Sequence, residues 1–143
     1  MVALTDLAAT DRPSVLFVGH PLCEAAHCAL MTALCQVIDV QTFYKPHPTT
    51  GAGRQIAELS WTVIQGRTVF PRVDLIVSYP STMVAEYASH SVPAVVHSMD
   101  ISIPQILDRV PEILQIIWTR HPAAAIQASN EPAALLSSIQ QQQ

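Results

Sequence analysis

The chain is predicted to be a single α/β domain, a parallel sheet of about five strands flanked by helices. Three observations predict it. Short apolar runs alternate along the chain with helix-type stretches. The runs at 14–19 and 74–78 are continuous rather than alternating in polarity, as strands buried on both faces are. And 143 residues, 50% of them hydrophobic, suffice for one core, with no composition shift that would mark a linker. The domain therefore spans 1–143, with a frayed Gln-rich tail at 139–143.

Ser14-Val15-Leu16-Phe17-Val18-Gly19 follows Asp11-Arg12-Pro13 and reads as a buried strand. Residues 22–37 are rich in Ala, Leu, Met and Cys and free of Gly and Pro, which predicts a largely buried helix. Residues 39–44 carry Val40, Thr42, Phe43 and Tyr44, side chains that suit a pleated surface. Pro46-His47-Pro48 ends this second strand, because proline donates no ladder hydrogen bond. A turn at 49–53, a short helix at 54–59 and a third strand at 61–65, closed by Gly66, come next. Residues 74–78 form the fourth strand, and 81–90 a helix with Ala85, Glu86 and Ala88 as good formers. The fifth strand is 92–96, and 103–117 is helical with an interruption near Pro111. An Ala-rich stretch at 122–138 predicts a last helix, with Ser129 or Asn130 as its cap and Pro132 in its first turn.

Composition narrows the function classes. Charged residues make up 13% of the chain and the net charge is −4, which leaves no basic footprint for nucleic acid. So apolar a chain suits a face held for a partner. No apolar run reaches the ~18 residues of a membrane span, so membrane contact is expected to be peripheral at most. The first ten residues carry Asp6 and no basic region, unlike a secretory signal. Cys23, Cys28 and Cys35 share one stretch without a C-x-x-C spacing, which argues against a disulfide framework and for a reducing, cytoplasmic setting. There is no G-x-G-x-x-G, Walker loop or nucleophile elbow, so no cofactor is expected. Cys23 and His27, four apart on a helix, lack further ligands at a recognisable spacing and read as buried packing, with no metal expected. His90, His97 and His121 join no constellation.

Two segments carry the chemistry. Tyr44-Lys45-Pro46-His47-Pro48 and Tyr79-Pro80-Ser81-Thr82 each follow a strand, at the carboxyl edge where open α/β sheets bind ligands. Lys45 and His47 are two apart on extended chain and point to the same side, where an ammonium and an imidazole N–H suit a phosphate. The flanking prolines stiffen that loop. Ser81 and Thr82 offer hydroxyls at a helix start, a position that equally suits a plain cap. Glu86, one turn beyond Thr82, would accept from a ribose or sugar diol. Gly19 would let backbone approach a ligand closely, and His20 would face the same cleft from the end of the first strand.

The joint order of these pieces runs Leu16-Phe17-Val18-Gly19-His20-Pro21, a helix, the Lys45-Pro46-His47-Pro48 element, then Val77-Ser78-Tyr79-Pro80-Ser81-Thr82. It resembles the donor-binding half of bacterial sialyltransferases and polysialyltransferases, over about residues 14 to 99. The Lys-Pro-His-Pro element is also similar to that of capsule-polymer transferases and of the glycerophosphate transferases that build teichoic acid. The resemblance implies a Rossmann-like domain, one half of a two-domain GT-B fold. It implies a CMP-linked donor, with His47 contacting its phosphate and assisting the departing CMP. Lys45 would support the same loop, Ser81 and Thr82 would hold the same phosphate, and His20 stands where relatives often carry Gln. Those enzymes take their acceptor site and general base from another domain, and often carry Pro-x-Glu between the third and fourth strands. Here that stretch reads Arg67-Thr68-Val69-Phe70-Pro71-Arg72, without a carboxylate.

The implied function is a nucleotide-sugar (CMP-sialic-acid-like) donor-binding domain of polysaccharide biosynthesis. It would transfer a sugar to an acceptor hydroxyl only with a second domain or partner, either a missing transferase half or a further copy of the chain. Two other readings stand beside it. One is a non-catalytic nucleotide-binding or regulatory module. The other is a structural, flavodoxin-like assembly protein in which Lys45 and His47 are incidental.

Overall fold

Every residue of Ser14–Val18 (β1) is buried, as its continuous apolar run demands. The computed structural model describes residues 2–9 and 11–123, and places β1 at the centre of the sheet. Of the helix expected over 122–138 only Pro122 and Ala123 fall within these residues, and the tail at 139–143 lies outside them. A short 3-10 turn, Pro21–Cys23, leads into Glu24–Val37 (α1). Gln41–Lys45 (β2), Arg54–Ala57 (α2), Thr62–Val63 (β3), Leu75–Ser78 (β4) and Thr82–Ala88 (α3) follow. Ala94–Val96 (β5), Ile103–Leu107 (α4) and Val110–Arg120 (α5) complete the described chain.

The strands form one sheet in the order β3-β2-β1-β4-β5, every pair parallel. This is the expected five-stranded Rossmann-like sheet, and its order has a consequence for ligands. From β1 the chain winds outward through β2 to β3, then returns to add β4 and β5 on the other side. The winding reverses between β1 and β4, and a crevice opens beyond their carboxyl ends.

Side-chain alternation along the strands sorts the core into two layers. Val15, Phe17, Leu75, Val77 and Val95 face Ala26, Leu30 and Leu34 of α1, Ile106 of α4, and Ile113 and Ile117 of α5. Leu16, Val18, Phe43 and Ile76 face the other way, with Tyr87 of α3 and the loop residues Val73 and Val92. Tyr87 is fully buried and donates its hydroxyl to the Pro71 carbonyl at 2.7 Å.

Two elements depart from expectation. The third strand shrinks from 61–65 to Thr62–Val63, because Trp61 turns inward instead. Its indole N–H donates to the Ile56 carbonyl at 2.7 Å and its ring packs 4.8 Å from Tyr44 and 5.3 Å from Phe17. The stretch 103–117 divides into α4 and α5. Pro111 sits in the first turn of α5, where its missing N–H costs nothing, so the break falls at Asp108 and Arg109 just before it. Among the described residues, no helix is long and apolar enough to cross a membrane.

At the amino edge of the sheet, Asp74 ties three segments together. Its Oδ2 accepts from the Ser14 N–H at 2.9 Å, the Ser14 hydroxyl at 3.2 Å and His121 Nε2–H at 2.7 Å. Asp74→Ala strands the buried Ser14 amide and is expected to cost about 1–3 kcal/mol, read as a lower urea midpoint at unchanged slope. A midpoint equal to wild type would show that water replaces the carboxylate without loss.

Candidate functional site

The crevice at the carboxyl ends of β1, β2 and β4 holds a cavity of about 470 Å³, within the size range of small-molecule sites. It is lined by Gly19 after β1, by Lys45, His47 and Arg67, and by Ser81 and Thr82 ahead of and at the start of α3. Among the described residues, no aspartate or glutamate lines it. Apolar side chains such as Val18, Ile64, Phe70 and Met83 share the lining, and its charged side chains, Lys45 and Arg67, are both cations in a chain of net charge −4, an arrangement whose field favours an anion over a cation.

His47 is the best-placed donor. The Thr49 N–H points at its Nδ1 (3.3 Å), and the Thr49 hydroxyl lies 2.8 Å from the same atom. An amide N–H only donates, so Nδ1 holds the lone pair and Nε2 carries the proton of the neutral ring. Nε2–H is thus left for a ligand. The loop that sets this tautomer closes tightly, with the Gly51 N–H donating to the His47 carbonyl at 2.9 Å and Gly51 at φ +68°.

Lys45 lines the cleft but spends its charge elsewhere. Its ammonium donates to the carbonyls of Val69 (2.9 Å), Arg67 (3.2 Å) and Gly66 (3.3 Å). It also lies 4.4 Å from the Phe70 ring centroid. Burial lowers its pKa from the ordinary lysine value. An ammonium has three donors. All three are committed, so Lys45 braces the 66–70 loop rather than reaching for an anion.

The loop that Lys45 braces presents Arg67, a cation that the sequence reading passed over. Its guanidinium donates to the Pro48 carbonyl at 3.3 Å, bridging toward the His47 loop, and the side chain lines the cavity. The available signal was its place directly after Gly66, at the carboxyl end of the third strand.

Ser81 occupies the N-cap position of α3, yet its hydroxyl makes no cap bond and lies 3.2 Å from the Ser78 hydroxyl. Thr82 is exposed at the cavity wall. Gly19 lines the cavity, but the space of its missing side chain is filled by the Tyr44 phenol rather than held open for a ligand. His20 is displaced to the rim. Its Nδ1 accepts from the Leu22 N–H at 3.1 Å, and its ring stands edge-on to His47 at 5.1 Å and to Tyr79 at 5.5 Å. Glu86 is not brought to the cleft. Its carboxylate accepts from the Val2 N–H at 3.0 Å, because α3 climbs away and one turn past Thr82 meets the N-terminal segment instead.

No known protein family, curated protein or solved structure matches this chain. The site is read from its own chemistry.

Behind the cleft the fold brings His97 to Cys23 and His27, a meeting with no signal in the sequence spacing. All three are buried. Burial pushes His27 down to about 3 and lowers His97, and it raises the Cys23 thiol to about 11. Near neutral pH both imidazoles are uncharged and the thiol keeps its proton.

Proposed function

We propose that the cleft binds the nucleoside-monophosphate part of a nucleotide-activated sugar, of the CMP-sugar class, as the donor half of a glycosyltransferase. The observation that carries this reading is the carboxylate-free cavity at the switch point, whose charged side chains are both cations, with His47, Arg67, Ser81 and Thr82 around it. Such pre-placed donors suit the charge that grows on a departing phosphate. In the transfer, an acceptor hydroxyl attacks the donor sugar carbon, the bond to the phosphate oxygen breaks, and CMP leaves. His47 would donate a hydrogen bond from Nε2–H to that oxygen, with Arg67 balancing the charge. The acceptor proton needs a base, and with His47 turned to the leaving phosphate no carboxylate lines the cleft among the described residues to take it. A second domain or partner chain supplies it in this reading. A cytoplasmic setting belongs to the same proposal, supported by three unpaired cysteines.

The missing carboxylate also favours a second reading, a module that binds nucleotide without transferring anything. Ligand-observed NMR with CMP, CDP, UDP and inorganic phosphate separates the cases from a bare scaffold. Selective CMP binding is expected, weakened at least about tenfold by His47→Ala and by Arg67→Ala, the loss of one charge-assisted bond each. Binding of none of the four would end the nucleotide reading and leave an assembly role. Binding without turnover of a CMP-sugar, even with candidate partner domains added, would select the non-catalytic module.

A further inference from the structure

Cys23 closes the 3-10 turn after β1, His27 lies one helical turn further on in α1, and His97 follows β5. The two histidines are 70 positions apart in sequence, yet their Nε2 atoms lie 2.8 Å apart. One ligand atom from each of the three residues falls within 4.8 Å of the others. Their residual exposures are 1%, 0% and 4%, so water does not satisfy these polar groups.

The hydrogen bonds around the pair assign its lone pairs. His97 Nδ1 lies 2.8 Å from the Ser98 carbonyl, which only accepts, so Nδ1 carries the proton and Nε2 the lone pair. A backbone carbonyl holding the far nitrogen of a histidine is the outer contact that orients metal-binding imidazoles. His27 must then donate Nε2–H to His97, and His27 Nδ1 is left buried with no partner among the described residues. Moving the His27 proton to Nδ1 would leave a lone pair on each of the two facing Nε2 atoms, with the Cys23 sulfur within 4.8 Å of the histidine ligand atoms.

We propose that Cys23, His27 and His97 form a binding site for a borderline-soft transition-metal cation of the zinc(II) class. The donor set is the argument: one thiolate and two imidazoles suit such a cation and suit calcium or magnesium poorly. Tetrahedral zinc bonds of ~2.0–2.1 Å to nitrogen and ~2.3 Å to sulfur hold neighbouring ligand atoms roughly 3.3–3.6 Å apart. The histidine nitrogens must part by about half an ångström and the sulfur must close by up to about 1.3 Å, within the reach of rotamer adjustment. On binding, the Cys23 thiol releases its proton to solvent, the sulfur bonds the cation, and His27 keeps its proton on Nδ1. The site lies in the core behind the cleft, so it anchors the start of α1 to the end of β5 across the switch point. It is independent of the nucleotide proposal.

The test uses the full chain, stripped of metal with a chelator, and cobalt(II) as a coloured substitute for zinc. The expected result is one bound equivalent, with a thiolate-to-cobalt charge-transfer band and intense tetrahedral-type visible bands that zinc abolishes by displacement. Cys28→Ser/Cys35→Ser must keep the charge-transfer band, since only Cys23 then remains. His97→Ala should weaken binding by at least about tenfold, and Cys23→Ser should remove the charge-transfer band with the fold intact by circular dichroism. A wild-type protein without that band, or a band lost in the double variant, overturns the proposal whether or not Cys23→Ser folds.

Discussion

Gly19→Ala is expected to destabilise the domain by about 3 kcal/mol, the upper end of the range for overpacking a core. A β-carbon on Gly19 would fall inside the Tyr44 phenol, with ring carbon Cε1 only 2.7 Å away. Tyr44 has no easy retreat. It is fully buried, with the Trp61 ring tilted against it at 4.8 Å and His27 edge-on at 6.3 Å. The conflict is one of space alone, so it can be relieved from the other side. The Tyr44 hydroxyl is buried without a partner among the described residues. Tyr44→Phe should therefore leave stability unchanged or raise it by up to about 1 kcal/mol, and should recover part of the Gly19→Ala loss. Urea denaturation of the four proteins reads both effects. A Gly19→Ala protein within about 0.5 kcal/mol of wild type would mean that the ring moves aside. A full loss persisting in Tyr44→Phe would place the clash on the ring carbons rather than the hydroxyl.

How much of this was legible depended on whether the cause was local. β1 and β4 stood out because burial on both faces leaves a run with no polar residue to interrupt it. Lys45 and His47, two apart on extended chain, both line the same cavity. What Lys45 does there was not local. Its ammonium is claimed by carbonyls 21 to 24 residues away, on a loop whose path only the assembled sheet sets. Glu86 failed for a related reason. The four-residue rule places it on one helix face with Thr82 but says nothing of what lies about 6 Å further along the axis. The meeting of His27 and His97 was invisible because the four strands β2 to β5 lie between them in the chain and only the assembled sheet brings them together.

Lys45→Met separates a brace from a ligand. The thioether keeps much of the apolar stem and removes the charge, so the carbonyls of Gly66, Arg67 and Val69 lose their shared donor and Phe70 loses its cation. The expected cost is about 2–3 kcal/mol, less than the sum of three separate bonds because one group serves them all. CMP affinity should fall by at least about tenfold in the same variant, through the Arg67 loop. The decisive quantity is the coupling between the two residues. If Lys45 acts by holding Arg67 in place, Arg67→Ala weakens binding strongly in wild type and hardly at all in Lys45→Met. Two direct phosphate ligands would instead give losses that add. A Lys45→Met protein of wild-type stability whose affinity loss adds to that of Arg67→Ala would put the ammonium on the phosphate. The three carbonyl contacts would then describe only the state that the ligand replaces.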